Sequence, residues 1–168
     1  QIVVVTEGGA HIWGLVNALA DHFGRPTVVI EHPESKAALL RRRARRLGWA
    51  SAIGQLGTML VVRTSKLLQV RNRATLAERS GFDTTPPPES TVIRIESADG
   101  DELVQAIEKV GARVVLLAGC RLVRRATLAR IACPVLNYHA GITPKYRGMN
   151  GGYWALATGD PDNFGTTV

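Results

Sequence analysis

Asn137 and His139 place an amide and an imidazole on one stretch of chain, Pro134-Val-Leu-Asn137-Tyr-His139-Ala-Gly141-Ile-Thr-Pro144-Lys-Tyr-Arg147-Gly148. The apolar Val135-Leu136 ahead of them reads as a buried strand. Alternate residues of a strand share a face, so the two side chains point the same way. The amide donates and accepts hydrogen bonds, and the imidazole exchanges protons near neutral pH. Glycine, proline and basic residues follow, which is loop chemistry. An amide and an imidazole at a strand exit beneath such a loop suit acyl transfer, one moving a proton and the other holding a developing oxyanion. A histidine at a strand end also serves as a satisfied structural residue, and spacing alone leaves both roles open.

The elements that must position this pair alternate along the chain. Ile2-Val-Val-Val5 is a β-branched run that reads as a buried strand. Thr6-Glu7-Gly8-Gly9 is a turn. Ile12, Leu15, Val16 and Leu19 then recur on one helical face, and Gly24 caps the helix after Phe23. Thr27 to Ile30 is the second strand. This β-α-β opening predicts a parallel sheet with a right-handed crossover. Gly8, Gly9 and Gly14 do not fit Gly-x-Gly-x-x-Gly, so the dinucleotide fingerprint is absent. The turn can be purely structural, or it can set backbone N–H groups and a helix start near an anion.

Later elements continue the alternation. Thr91 to Ile95 is a strand, and Asp99 is placed to cap a helix carrying Leu103, Val104, Ile107 and Val110. Val114 to Ala118 is another buried strand, followed by the turn Gly119-Cys120-Arg121. A short helix around Arg124 to Ile131 leads to the strand before Asn137. Gly151 to Thr158 reads as a helix stopped by Gly159-Asp160-Pro161. Phe164 to Val168 reads as a final strand with nothing after it, and both chain ends read as trimmed or incomplete. The predicted class is α/β, a Rossmann-like open, mostly parallel sheet with helices on both faces. Residues 1–168 form one catalytic-type domain, incomplete at its C-terminal end.

Within it, residues 35–88 read as a basic helical insert after the second strand, ending in a stiff connector around Pro86-Pro87-Pro88. Ser35 is a candidate cap. Leu40, Ala44 and Leu47 form an apolar seam among Arg41, Arg42, Arg43, Arg45 and Arg46. An uncharged stretch to Val62 follows, then Arg63, Lys66, Arg71, Arg73 and Arg79. The uncharged stretch is too short and too rich in Gly and Ser to span a bilayer. Residues 41–79 suit either a helix pair packed on the domain with solvated arginines, or a surface for a membrane or another anionic partner. With Trp49 as the lone aromatic there, base stacking lacks a platform, so nucleic acid is not the expected partner.

The string Asn137-x-His139-x-Gly141-x-x-Pro144-x-Tyr146-Arg147-Gly148 resembles the signature of folate-dependent formyltransferases. That family includes the glycinamide ribonucleotide, methionyl-tRNA and sugar-nucleotide amine types. The resemblance continues through Tyr153-Trp-Ala-Leu156, Gly159-Asp160 and Gly165-Thr-Thr-Val168, and upstream through Val114 to Val123. It covers residues 112–168 well and the first strand and helix loosely. It implies a formyltransferase fold and 10-formyltetrahydrofolate as formyl donor, with no metal. It implies that Gly119, Arg121, Leu122 and Val123 hold the pterin ring, largely through backbone groups. It implies that Asn137 and His139 are catalytic, and that Gly8, Gly9 and Arg147 meet the acceptor. The family's aspartate is expected beyond residue 168; Asp160 and Asp162 match the turn before it, and Thr166 and Thr167 are expected near the site.

Composition fits these expectations without deciding among them. A chain of 168 residues at 45% hydrophobic is enough for one domain with a real core. Cys120 and Cys133 lack metal-ligand spacing and fit a reducing, cytoplasmic compartment. The formal charge of +7 suits an anionic substrate as well as an anionic surface. Transfer of a formyl group to the primary amine of a small acceptor, a nucleotide sugar or a ribonucleotide, is the leading reading. Hydrolysis of formyltetrahydrofolate by the same Asn and His is the second. A basic α/β binding module for an anionic partner is the alternative of another class. Oligomeric state is not legible in the sequence.

Overall fold

The computed structural model describes residues 1–35, 81, 83–87, 91–148 and 150–168, with single positions 37, 41, 44, 45, 48, 49, 54 and 57 between. The chain divides into two compact units, one of Gln1–His32 with Thr84–Val168 and the other Pro33–Asp83. Apart from those single positions, the predicted helix pair of the basic insert, and with it the proposed surface of residues 41–79, lies outside the described residues.

Valine-rich runs make the sheet of the first unit. Its strands are β1 (Ile2–Thr6), β2 (Thr27–Glu31), β3 (Val92–Ile95), β4 (Val114–Ala118) and β5 (Val135–Tyr138). All neighbours pair in parallel, in the order β3-β2-β1-β4-β5. Alternation then sorts the side chains. Val3, Val5, Val29, Val115 and Leu117 face one side, where Leu103, Ala106 and Ile107 of helix α2 (Asp101–Val110) cover them. Val4, Val28, Leu116 and Ala118 face the other, against Ile12 and Val16 of helix α1 (Ala10–Phe23). The central strands β1, β2 and β4 are therefore buried on both faces, which is why they read as near-continuous apolar runs. Helices α3 (Arg125–Leu128) and α4 (Gly151–Ala157) follow later in the sheet unit.

Two details differ from the sequence reading. Asp99 does not cap α2, whose N-cap is Gly100. Its carboxylate instead accepts from the Arg124 backbone N–H at 3.0 Å and the Thr127 hydroxyl at 2.6 Å, at the start of α3. The Thr127 hydroxyl foremost, and then the Arg124 amide, hold the Asp99 carboxyl below its ordinary value. The chain also has no continuous strand at Phe164 to Val168, only a two-way antiparallel bridge between Thr167 and His139. Gly24 does end α1 as expected, with φ 80° and its N–H on the Ala20 carbonyl at 3.2 Å. No helix among the described residues is long and apolar enough to cross a membrane.

Candidate active site

Strand register decides which residues meet at the carboxyl edge of the sheet. Thr6 pairs with Ile30, Val5 with Leu117, and Ala118 with Tyr138. The next residue of each strand line is Glu7, Glu31, Gly119 or His139, so these four stand in one row. Strand order reverses between β1 and β4, the place where open α/β sheets bind ligands. The loops after these two strands are joined directly, the Glu7 N–H donating to the Gly119 carbonyl at 2.9 Å.

His139 is held from three directions. Its backbone N–H donates to the Thr167 carbonyl at 2.8 Å, and its carbonyl accepts from the Thr167 N–H at 3.0 Å. Its ring Nδ1 lies 3.0 Å from the Gly141 carbonyl and Nε2 lies 3.1 Å from the Gly148 carbonyl. A neutral imidazole has one N–H. Donation from Nδ1 to Gly141 leaves Nε2 as the basic nitrogen, with the Gly148 carbonyl against it. Both contacts are hydrogen bonds only when the ring carries two protons. The Thr167 hydroxyl also donates to Gly141, at 2.9 Å, and accepts the Thr143 N–H at 3.0 Å. Asn137 precedes His139 on an exposed stretch of β5, opposite Leu117 and on the face that carries Val135.

The loop over His139 has its own anchor. Asp160 accepts from Lys145 Nζ at 2.5 Å, from the Tyr146 hydroxyl at 2.6 Å and from Asn163 Nδ2 at 2.9 Å. Lys145 foremost, then Tyr146 and Asn163, hold the Asp160 carboxyl well below the usual carboxylate range, and Asp160 in turn raises the Lys145 ammonium. The helix-stop residue of the sequence reading is thus also the tether of the loop. Thr143–Pro144 in that loop is a cis peptide.

The segment after β4 is pinned before it reaches solvent. Glu31 is fully buried. Its carboxylate accepts the Ala98 N–H at 2.9 Å, Arg121 Nε at 2.8 Å and the Arg121 backbone N–H. Arg121 Nη2 donates to the carbonyls of His32 at 3.1 Å and Glu96 at 2.5 Å. Val123 is buried in the α2-side core, while Leu122 between them is 85% exposed. The Arg121 side chain and N–H are therefore committed to the protein. What Gly119 to Val123 presents outward is the Leu122 side chain. Burial foremost, then the Glu31 charge, pushes the Cys120 thiol up to about 12.

Gly8 and Gly9 lie in the loop after β1, beside Gly119, with φ 92° and 119°. The Gly8 N–H donates to Thr6 Oγ1 at 3.0 Å, and the Gly9 carbonyl accepts the Ile12 N–H at 3.0 Å as α1 begins. Arg147 is exposed in the loop that carries Gly148. Among the described residues no three His, Cys, Asp or Glu side chains gather in a way that could hold a metal. Sequence reasoning missed Glu31. The one available signal was a carboxylate ending an otherwise apolar strand, where a buried charge demands partners.

No curated protein matches the sequence. Among solved structures the chain is similar to glycinamide ribonucleotide transformylase 1 from Symbiobacterium toebii, at 20% identity and TM-score 0.48, over 94% of this chain and 59% of that one. It is similar to phosphoribosylglycinamide formyltransferase from Anaplasma phagocytophilum at 13% and 0.50, over 94% and 58%. It is similar to the enzyme of that name from Streptococcus pneumoniae TIGR4 at 17% and 0.51, over 95% and 67%. The chain spans 59% and 58% of the length of the first two. At 13% and 17% identity, the likeness to the latter two is one of fold. The formyl transferase family profile matches residues 20–168, a stretch that contains the loop after β4, the Asn137 and His139 strand and the tethered loop above it. The chain belongs to the formyl transferase family.

Proposed function

We propose that this protein moves a formyl group from 10-formyltetrahydrofolate to the primary amine of a small acceptor. The observation that supports it most is the placement of His139 in one row with Gly119 at the strand-order reversal, in a chain of this family. The exposed Leu122, framed by the fixed Arg121 and the buried Val123, offers an apolar surface and backbone groups to a flat heteroaromatic ring. Gly119, Arg121, Leu122 and Val123 form the donor side. Gly8, Gly9 and Arg147 form the acceptor side, where backbone N–H groups at the start of α1 and a guanidinium favour an anionic amine such as a nucleotide sugar or a ribonucleotide. The sheet unit is the catalytic domain, with residues 35–88 as an insert in it.

In this reading the acceptor nitrogen bonds to the formyl carbon and the carbonyl oxygen gains charge. Asn137 donates its amide N–H to that oxygen. His139 uses Nε2 to take the proton the amine loses, and a proton reaches the folate nitrogen as its bond to carbon breaks. The Gly148 carbonyl leaves Nε2 when the reactants enter. Incubating the intact protein with 10-formyltetrahydrofolate and a panel of amines, followed by mass spectrometry, tests the reading. A formylated amine is the expected product. Formate without a formylated amine would mean hydrolysis, and no consumption of donor with any amine would overturn the assignment.

A further inference from the structure

We propose that Glu31 is a positioning residue for donor binding, acting through the backbone of Arg121; the inference rests on the formyl-transfer reading above. Glu31 ends β2, two strand positions across the sheet from β4. Its carboxylate reaches the loop after β4 and also the Ala98 N–H that follows β3. It thus ties together the ends of three strands, β2, β3 and β4, at one buried point. A buried carboxylate is tolerated only when its oxygens are saturated by donors, and here the donors are the Ala98 N–H, the Arg121 N–H and Arg121 Nε.

The consequence for the loop is geometric. The Gly119 carbonyl is fixed by the Glu7 N–H at 2.9 Å, the Arg121 N–H is fixed by Glu31, and the Val123 side chain is fixed in the core. Three anchors within five residues, Gly119 to Val123, leave the Leu122 side chain and its flanking peptide groups presented in one orientation. A ring held largely through backbone groups depends on that orientation, because a peptide group has no rotamer with which to correct a misplaced loop. Glu31 is fully buried, so it acts through the loop it holds, and its effect is expected chiefly on donor binding.

The test is calorimetry with a non-reactive 10-formylfolate analogue, together with donor and acceptor KM, on intact wild type, Glu31→Gln and Arg121→Lys. Glu31→Gln keeps the size of the side chain but turns one acceptor into an NH₂ group facing N–H donors. Analogue affinity should fall at least about tenfold, with a matching rise in donor KM and with acceptor KM within about twofold of wild type. Arg121→Lys keeps the backbone N–H on Glu31 and loses the Nε contact. It should show the same donor-selective pattern at smaller size, and it decides the matter if Glu31→Gln does not fold. A folded Glu31→Gln with wild-type analogue affinity overturns the proposal, as does an Arg121→Lys unchanged in both KM values when it is the only folded variant. Equal loss for donor and acceptor also overturns it, since that is the signature of general loosening. Failure of wild type to bind the analogue overturns the formyl-transfer reading itself, a result distinct from selective failure of the variants to differ.

Discussion

Gly141 and Gly151 lie back to back. A Cβ on Gly141 would fall 2.9 Å from the Gly151 Cα, a Cβ on Gly151 would fall 2.8 Å from the Gly141 Cα, and either would collide with the Tyr146 carbonyl oxygen. Neither glycine has a positive φ, so space and not backbone conformation demands the missing side chain. The contact seats the start of α4 directly under the loop that leaves His139. The Gly152 N–H to Ala140 carbonyl bond, at 3.2 Å, reinforces it. The strand exit at His139 and the helix beyond it are therefore one packed unit.

Replacing either glycine with alanine should destabilise the protein by about 1 to 3 kcal/mol, the usual cost of overpacking a close contact. For a domain of this size that lowers Tm by about 3 to 10 °C. Because the displaced atoms carry the Gly141 carbonyl that holds His139 Nδ1, turnover should fall in the protein that remains folded. Differential scanning calorimetry alongside turnover checks both parts. A wild-type Tm in Gly151→Ala would contradict the packing described.

The tether on Asp160 should be acid-resistant and removable. Its folded-state value lies below the ordinary 3.8, so its contribution is complete above about that pH and is lost as pH falls through the lower folded value. Lys145 is raised, so its share is complete below its ordinary 10.5 and is lost as pH rises through the higher folded value. Between these limits amide-exchange protection of residues 145–148, corrected for intrinsic rates, should be flat. Asp160→Asn should lower that protection at every pH and reduce turnover, with a small change in Tm because Lys145 is solvent-exposed and Asp160 only partly buried. Protection unchanged in Asp160→Asn would show that the loop is held elsewhere.

Much of this arrangement was legible in the sequence, for identifiable reasons. The runs Ile2 to Val5 and Val114 to Ala118 announce themselves because a sheet buried on both faces tolerates no polar alternation. The spacing Asn137-x-His139 fixes a shared face because strand period is 2. Glu31 was not legible, because its three donors come from Ala98 and Arg121, far along the chain. The Asp99 capping assignment failed for the same reason. Asp99 stands one residue too early for α2, and its partners Arg124 and Thr127 are brought to it only by the fold. Likewise Thr167 reads as part of a strand, but only the folded chain shows it pairing with His139.

Cys120 should be inert as a nucleophile. Burial and the neighbouring Glu31 raise its thiol to about 12, so at pH 8 roughly one molecule in ten thousand carries the thiolate. Timed alkylation followed by peptide mass spectrometry should leave Cys120 unmodified in the native protein and modify it in denaturant. Rapid native labelling of Cys120 at pH 8 would show that the loop after β4 opens and that the Glu31 anchor is transient.

His139→Ala gives the most direct test of the site. The ring contacts the Gly141 and Gly148 carbonyls, so its removal should cost only about 1 kcal/mol of stability, the net worth of an ordinary hydrogen bond. The Thr167 bridge is made by backbone groups and survives the substitution. If His139 moves a proton and helps hold charge only as transfer proceeds, the loss in turnover should be about a hundred- to a thousandfold, roughly 2.7 to 4 kcal/mol. Binding of a folate analogue should stay near wild type, because the Gly119 to Val123 segment is anchored independently by Glu7, Glu31 and the core. Asn137→Ala should behave similarly. The double variant should lose less than the product of the two single losses, since both groups serve one reacting centre. Tm, analogue affinity and turnover measured on the same intact variants separate the possibilities. A purely structural His139 would lower Tm by several degrees, with activity falling only in step with folded protein. A stable, fully active His139→Ala would remove His139 from the mechanism.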